Sequence, residues 1–172
     1  CYVSPGFIDA HSHADLGPFT PEKLALKLRQ GVTTEVTGQC GFSPAPMPAE
    51  RQADWMNYYV PGSPIPAWPW ESTAEFHTAL RSRGLPLNLM PFVGHGSLRF
   101  AVKADSSAPM KPTELEKLEA LLEQAFDEGA SGLSFGLIYV PALSADKAEL
   151  RRVAEVAARR RRLLSVHMRS ES

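Results

Sequence analysis

His11-Ser12-His13 sets two imidazoles two residues apart. On an extended chain such side chains point to one side, so both rings can reach a single metal ion. Asp9 shares that side and could orient one imidazole through a hydrogen bond. Two unrelated surface histidines would read the same way, but placement favours the metal. Residues 7–10 form a short apolar run after Pro5-Gly6, read as a strand, and the pair lies just past its C-terminal end. Cys40 sits similarly, in Thr37-Gly38-Gln39-Cys40-Gly41 beyond the β-branched run Val32–Thr37. A lone cysteine is usually a small buried hydrophobe. Flanking glycines that let backbone approach closely make it a credible thiolate ligand, which a bound divalent cation would deprotonate. His167, in Ser165-Val166-His167-Met168-Arg169, ends a further apolar segment. Three histidines and one cysteine from three strand ends form a nitrogen and sulfur donor set suited to zinc.

Other residues carry two readings each. His95, in Val93-Gly94-His95-Gly96-Ser97, either meets substrate or metal or is a hydrogen-bonded structural residue. Tyr139 either touches substrate with its hydroxyl or packs. Arg169 and Glu171 either bind a substrate carboxylate or pair with each other. Trp55, Trp68 and Trp70 line an apolar pocket or, the better reading, form a satellite core. His77 is read on a solvated helix face with Glu75 and Arg81, and Cys1 as incidental. The basic run 159–162 closes a helix and complements its dipole.

These side chains can converge only if the elements bearing them form one rim. Thr20-Pro21-Glu22 opens a helix that stops at Gly31, with Thr20 as cap. Residues 38–70, rich in Pro, Gly, Ser and Trp, read as a long excursion, with a loop at about 42–71, and loops of that length are usually functional or disordered. Ser72 with Glu75 is a capping-box pattern opening a helix to Arg83, and residues 87–93 form a buried strand. Thr113 with Glu116 repeats the pattern, and Leu115, Leu118, Leu121, Leu122 and Ala125 lie on one stripe before Gly129. A strand over 132–138, a helix capped by Ser144 running to about Arg162, and a strand over 163–168 complete the order. Five strands alternating with four helices imply parallel pairing through right-handed crossovers. An open doubly wound sheet and a (β/α)8 barrel both fit. No GxGxxG or Walker-type loop follows the first strand, which favours the barrel, here as its first five strands and four helices.

The chain has 172 residues, 44% hydrophobic and 22% charged, as expected of a globular protein. A net charge of −1 offers no electrostatic reason for nucleic acid or a membrane as partner. No apolar run approaches the roughly 18 residues of a membrane span. Two cysteines are too few for a disulfide framework, which points to a reducing, cytoplasmic setting. Both ends look cut: Cys1-Tyr2-Val3 reads as a strand in progress and Ser170-Glu171-Ser172 follows a strand directly. Residues 1–4 are taken as the end of a flanking β segment and 5–172 as the first part of a catalytic barrel.

The segment from Ser4-Pro5-Gly6-Phe7-Ile8-Asp9-Ala10 through His11-Ser12-His13 resembles the opening metal motif of the amidohydrolase superfamily. Gly31-Val32-Thr33-Thr34-Glu35-Val36-Thr37-Gly38-Gln39-Cys40-Gly41 is narrower and resembles the N-acyl-D-amino-acid deacylases, which use a cysteine as zinc ligand. The segments 129–139 and His167-Met168-Arg169-Ser170-Glu171 look like that family too, so the resemblance covers essentially the whole chain. It implies Zn2+, with Cys40 and His167 as ligands of one tightly bound ion and His11 and His13 at a weaker second position. It implies an N-acyl-D-amino acid as small-molecule substrate, cut to a carboxylate and a free D-amino acid. It also implies a further histidine ligand and a general-base aspartate at later strand ends, beyond Ser172, so that the chain as it stands holds no acid/base residue and is expected to be inactive alone. Two alternatives are a hydrolase of cyclic amides such as hydantoins, whose members usually bridge two metals with a modified lysine, and a non-catalytic metal-binding module. No lysine stands at a strand end here. Oligomeric state is not legible.

Overall fold

The computed structural model describes residues 2–62, 65, 67–103 and 108–170. The expectations for Cys1 and Glu171 lie outside these residues. Five strands, β1 (Phe7–Asp9), β2 (Val32–Thr37), β3 (Asn88–Gly94), β4 (Gly132–Gly136) and β5 (Leu163–His167), form one parallel sheet in the order β1-β2-β3-β4-β5. Strand order that never reverses is the winding of a (β/α) barrel. A doubly wound sheet would contain a switch point.

Six helices accompany the strands: α1 (Pro21–Arg29), α2 (Ala49–Tyr59), α3 (Thr73–Ser82), α4 (His95–Val102), α5 (Pro112–Asp127) and α6 (Lys147–Arg159). The four expected ones are α1, α3, α5 and α6. Ser72 caps α3 as its pattern predicts, accepting from the Glu75 N–H at 3.2 Å while Glu75 accepts the Ser72 N–H at 3.0 Å. Elsewhere the caps differ from expectation. Helix α5 starts at Pro112, and Glu114, not Glu116, accepts the N–H before it, that of Lys111, at 2.7 Å. Helix α6 is capped by Asp146, which accepts the Glu149 N–H at 2.8 Å, while Ser144 lies in a preceding 3-10 turn. Pro112, suited to the first helical position, starts α5 one residue before Thr113, and in α6 an acidic residue nearer the helix takes the cap in place of the Ser144 hydroxyl. The helix starting at Pro21 lacks a side-chain cap, and the Thr20 hydroxyl donates to the Gly17 carbonyl instead.

Helices α2 and α4 were not expected. The first lies inside the Pro-rich excursion and buries only Gln52 and Trp55, so it shows no apolar stripe. Helix α4 follows β3 directly, and Gly96 in its first turn disguises it. A Cβ there would crowd the Gly41 carbonyl.

Two cores result. The main one lies between the sheet and α4, α5 and α6, with Leu98, Leu118, Leu122, Leu133, Val153 and Val156 fully buried. The second is the satellite core expected of the tryptophans: Trp55, Trp68 and Trp70 pack with Met47, Phe76 and Leu80. The indole N–H of Trp55 donates to the Ser43 carbonyl at 3.0 Å and that of Trp70 to Pro44 at 3.2 Å. No helix among the described residues is long and apolar enough to cross a membrane.

Candidate metal centre

The chain bends at Ala10 and His11 as it leaves β1, and the His11 and His13 rings come to 5.4 Å of each other while Ser12 between them is buried. The Ser12 hydroxyl reaches Glu35 at 3.3 Å, and its N–H donates to the Val36 carbonyl at 3.0 Å, which fixes the register of the pair against β2. Asp9 does not hold an imidazole. It accepts the His11 backbone N–H at 3.2 Å and pairs with Lys27 of α1, which holds its carboxyl below the usual carboxylate range.

Beyond β2 the backbone turns sharply, with φ of 71° at Gly38, 55° at Cys40 and 78° at Gly41. Cys40 is thus a non-glycine residue in left-handed backbone, a conformation that costs energy and persists where its surroundings enforce it. Here the enforcement is visible. The Gly38 N–H donates to Asp15 at 2.5 Å, and the Ser134 hydroxyl donates to the Gly38 carbonyl. The Gly41 N–H donates to Ser134 Oγ at 2.9 Å, and its carbonyl accepts the Ser97 N–H of α4 at 3.1 Å. The turn presses backbone to backbone on the tips of β3 and β4. A Cβ at Gly38 would overlap the Phe92 carbonyl, and one at Gly136 would overlap that of Cys40.

The outcome is convergence. Cys40 Sγ lies 3.4 Å from His11 Nε2 and 3.4 Å from His167 Nδ1. Ligand atoms of His11, His13 and Cys40 all fall within 4.8 Å of one another. Burial pushes the Cys40 thiol up, and burial, then the charges of His11 and His167, push His13 down. A cation between them would favour the thiolate and the neutral imidazoles, the forms that bind metal, so the donor set fits a soft to borderline divalent ion.

Tyr139 stands at the rim, its ring edge-on to His167 at 4.9 Å. His95 and Arg169 are not brought to this site. His95 is fully buried between α4 and α6, 2.8 Å from Glu149 and with its ring 5.0 Å from that of Phe135. Burial lowers its pKa, and the adjacent Arg99 pairs with the same carboxylate. Its position is structural. Arg169 donates to the Ala145 carbonyl at 2.9 Å and lines neither cavity at the rim. His77 is not on a solvated face but half-buried against the turn at Gly129.

Two features escaped the sequence reading. Asp15, buried and pushed up to about 6 by burial, accepts both the Gly38 N–H and the Tyr59 hydroxyl, the latter at 2.7 Å. Its position two residues past His13 was the available signal. The other is a cavity of about 550 Å³ opening beside His13 and Cys40, walled by Phe42, Tyr58, Tyr59 and Tyr139.

A parallel (β/α) sheet with histidine and cysteine donors converging at its C-terminal rim is part of a (β/α) barrel that carries a candidate metal site. The chain belongs to the amidohydrolase family, whose model matches residues 1–171. It is 37% identical to an N-acyl-D-glutamate deacylase and 34% identical to a D-aminoacylase, both from Alcaligenes xylosoxydans xylosoxydans, each over 98% of this chain and 34% of the relative. A D-aminoacylase structure described as having a binuclear metal centre superposes with a TM-score of 0.85 at 32% identity, covering 97% of this chain and 35% of that one. The N-acyl-D-glutamate deacylase of Bordetella bronchiseptica, in complex with zinc and a phosphonate mimic of the tetrahedral intermediate, superposes with a TM-score of 0.84 at 37% identity, over 97% and 34%. The chain therefore spans about a third of the length of these relatives.

Proposed function

We propose that this chain supplies the metal-binding first part of a zinc-dependent hydrolase that cleaves N-acyl-D-amino acids to a carboxylate and a free D-amino acid. The observation that carries the reading is the thiol of Cys40 at 3.4 Å from two imidazoles on different strand ends. Relatives acting on N-acyl-D-glutamate and N-acyl-D-aspartate support the substrate class. Cys40 and His167 are assigned to one tightly held Zn2+, and His11 and His13 to a weaker second position. When bound, the ion polarises a carbonyl and makes water more acidic.

The chain's own residues do the rest of what is assigned here. Asp15, Ser134 and Ser97 hold the Cys40 turn so that the ligand is presented without rearrangement. Tyr139 borders the place where an amide would lie. Among the described residues, the carboxylates flanking the ligands are engaged: Asp9 and Glu35 with Lys27, Asp15 with Tyr59 and Gly38. As the resemblance to the deacylases implies, the acid/base carboxylate is assigned to residues beyond Ser172. A reducing, cytoplasmic setting is proposed because a ligand thiol must stay reduced.

The test is zinc content together with enantiomer-selective deacylation by the full-length protein that carries this chain. Tightly bound zinc and release of acetate from N-acetyl-D-methionine, but not from the L form, is the expected result. Zinc without that activity leaves a metal-binding module and removes the substrate assignment. A preparation with no zinc overturns the ligand assignment.

A further inference from the structure

The 550 Å³ cavity beside the metal centre is far larger than an acetyl group, and its wall is chemically specific. It shares His13, Cys40 and Tyr139 with the opening in which the ligands converge, and extends from there between α2 and the segment after β1. Beyond those three residues its lining is apolar or aromatic, apart from hydroxyls that are already used. The Tyr58 hydroxyl donates to the Val140 carbonyl at 2.8 Å, that of Tyr59 to Asp15, and that of Thr20 to the Gly17 carbonyl. No lysine or arginine is among the described lining residues. A guest carboxylate there would lose water and gain no partner, whereas an alkyl or aryl group would lose only unfavourable hydration. The wall is also stiff. Phe42 stacks on Tyr59 at 5.6 Å and on Trp55 at 5.7 Å, and Trp55 is anchored in the satellite core.

We propose that this cavity is the acyl-chain subsite and that it selects N-acyl groups longer than acetyl. The inference rests on the amide-hydrolase reading above, which places the scissile carbonyl at the ligand cluster. Of the two arms of an N-acyl-D-amino acid, the amino-acid arm bears an α-carboxylate on the same carbon as its side chain. Inserting that arm would drag the charge to an apolar mouth. The acyl arm carries no charge along its length and enters alone. An acidic D-side chain would then be read by cationic groups outside this cavity.

The experiment compares kcat/KM for N-acetyl-, N-butyryl- and N-hexanoyl-D-methionine in the zinc-loaded full-length protein. A rise of roughly fourfold per added methylene is expected. Val60→Trp, which fills the α2 end of the cavity, should bring the hexanoyl-to-acetyl ratio to about one, and Val60→Ala should move the optimum to a longer chain. A flat or falling series overturns the proposal. So does a Val60→Trp protein that loses discrimination between N-acetyl-D-alanine and N-acetyl-D-phenylalanine, since that puts the side chain in the cavity. Calorimetric binding of hexanoate against acetate separates the two levels. Hexanoate binding that Val60→Trp abolishes, in a protein that cleaves no N-acyl-D-amino acid, keeps the apolar site and overturns the deacylase reading. Cleavage without chain-length preference does the reverse.

Discussion

At the scale of single residues, the site depends on a cysteine held in backbone that few side chains adopt. Cys40→Ala removes the sulfur donor without changing the turn. Zinc remaining after dialysis should fall to a small fraction of the wild-type content, as read by atomic absorption. Asp15 is a positioning residue, since it touches Gly38 and Tyr59 but no ligand atom. Asp15→Ala leaves two buried donors unpaired, at about 1–3 kcal/mol each. It should lower stability in a denaturant titration and weaken zinc affinity by roughly 10- to 100-fold, the usual effect of losing a group that orients a ligand. A merely structural aspartate would move the first number and leave the second.

At the scale of elements, the turn after β2 and the tips of β3 and β4 form one unit joined through Ser134 and Ser97. Gly136 lies where any Cβ would strike the Cys40 carbonyl. Gly136→Ala is expected to displace the Cys40 turn and reduce zinc content while leaving the helical circular dichroism signal near that of the wild type. Behind this unit, α4 and α6 are joined by His95, Arg99 and Glu149, all nearly inaccessible to solvent. Burial alone would raise the Glu149 pKa, but hydrogen bonds from His95 and Arg99 outweigh it and hold the carboxyl below the usual range. Glu149→Ala strands the Arg99 charge and should cost about 3–5 kcal/mol. Burial depresses His95 below 6.5, so folding favours its neutral form. The stability it contributes is present above pH 6.5 and is lost as pH falls from there through the folded-state pKa. Melting of the metal-free protein against pH should therefore show a steeper acid limb in the wild type than in His95→Gln. Asp15, raised to about 6, slopes the other way in both proteins and cancels in their difference, which reports the coupled His95–Glu149 pair.

For the whole molecule, the sheet has two unpaired edges among the described residues. β1 and β5 each pair on one side, and Phe7, Ile8, Leu163 and Val166 are all more than half exposed. Apolar strands with open edges pair with whatever meets them. The 172-residue chain by itself should self-associate at micromolar concentration in sedimentation velocity, and Ile8→Lys with Val166→Lys should reduce that association. The metal acts at the same scale. It would tie together the ends of β1, β2 and β5, and zinc at a thousand times its dissociation constant should stabilise the fold by about 4 kcal/mol, a gain that a chelator reverses in a thermal melt.

The strand order, four of the six described helices and the barrel class could be read from the chain, because each depends on local pattern. Strand runs end at turn residues, helices show a 3.6-residue stripe, and ligand chemistry follows from residue type. The stripe of α5 and the capping box of α3 belong to this group. What depends on distant partners could not be read. Helix α2 has no stripe because it serves the tryptophan core rather than the sheet, and α4 hides behind a glycine required by contact with Gly41. His95 and His167 look alike in sequence, each after an apolar strand. One is drawn into the helical layer by Glu149, which lies 54 residues further on, and the other is left facing Cys40, 127 residues before it. Only the curl of the five-stranded sheet sets which strand-end side chains share a space, and that curvature arises from pairings between segments that local periodicity does not connect.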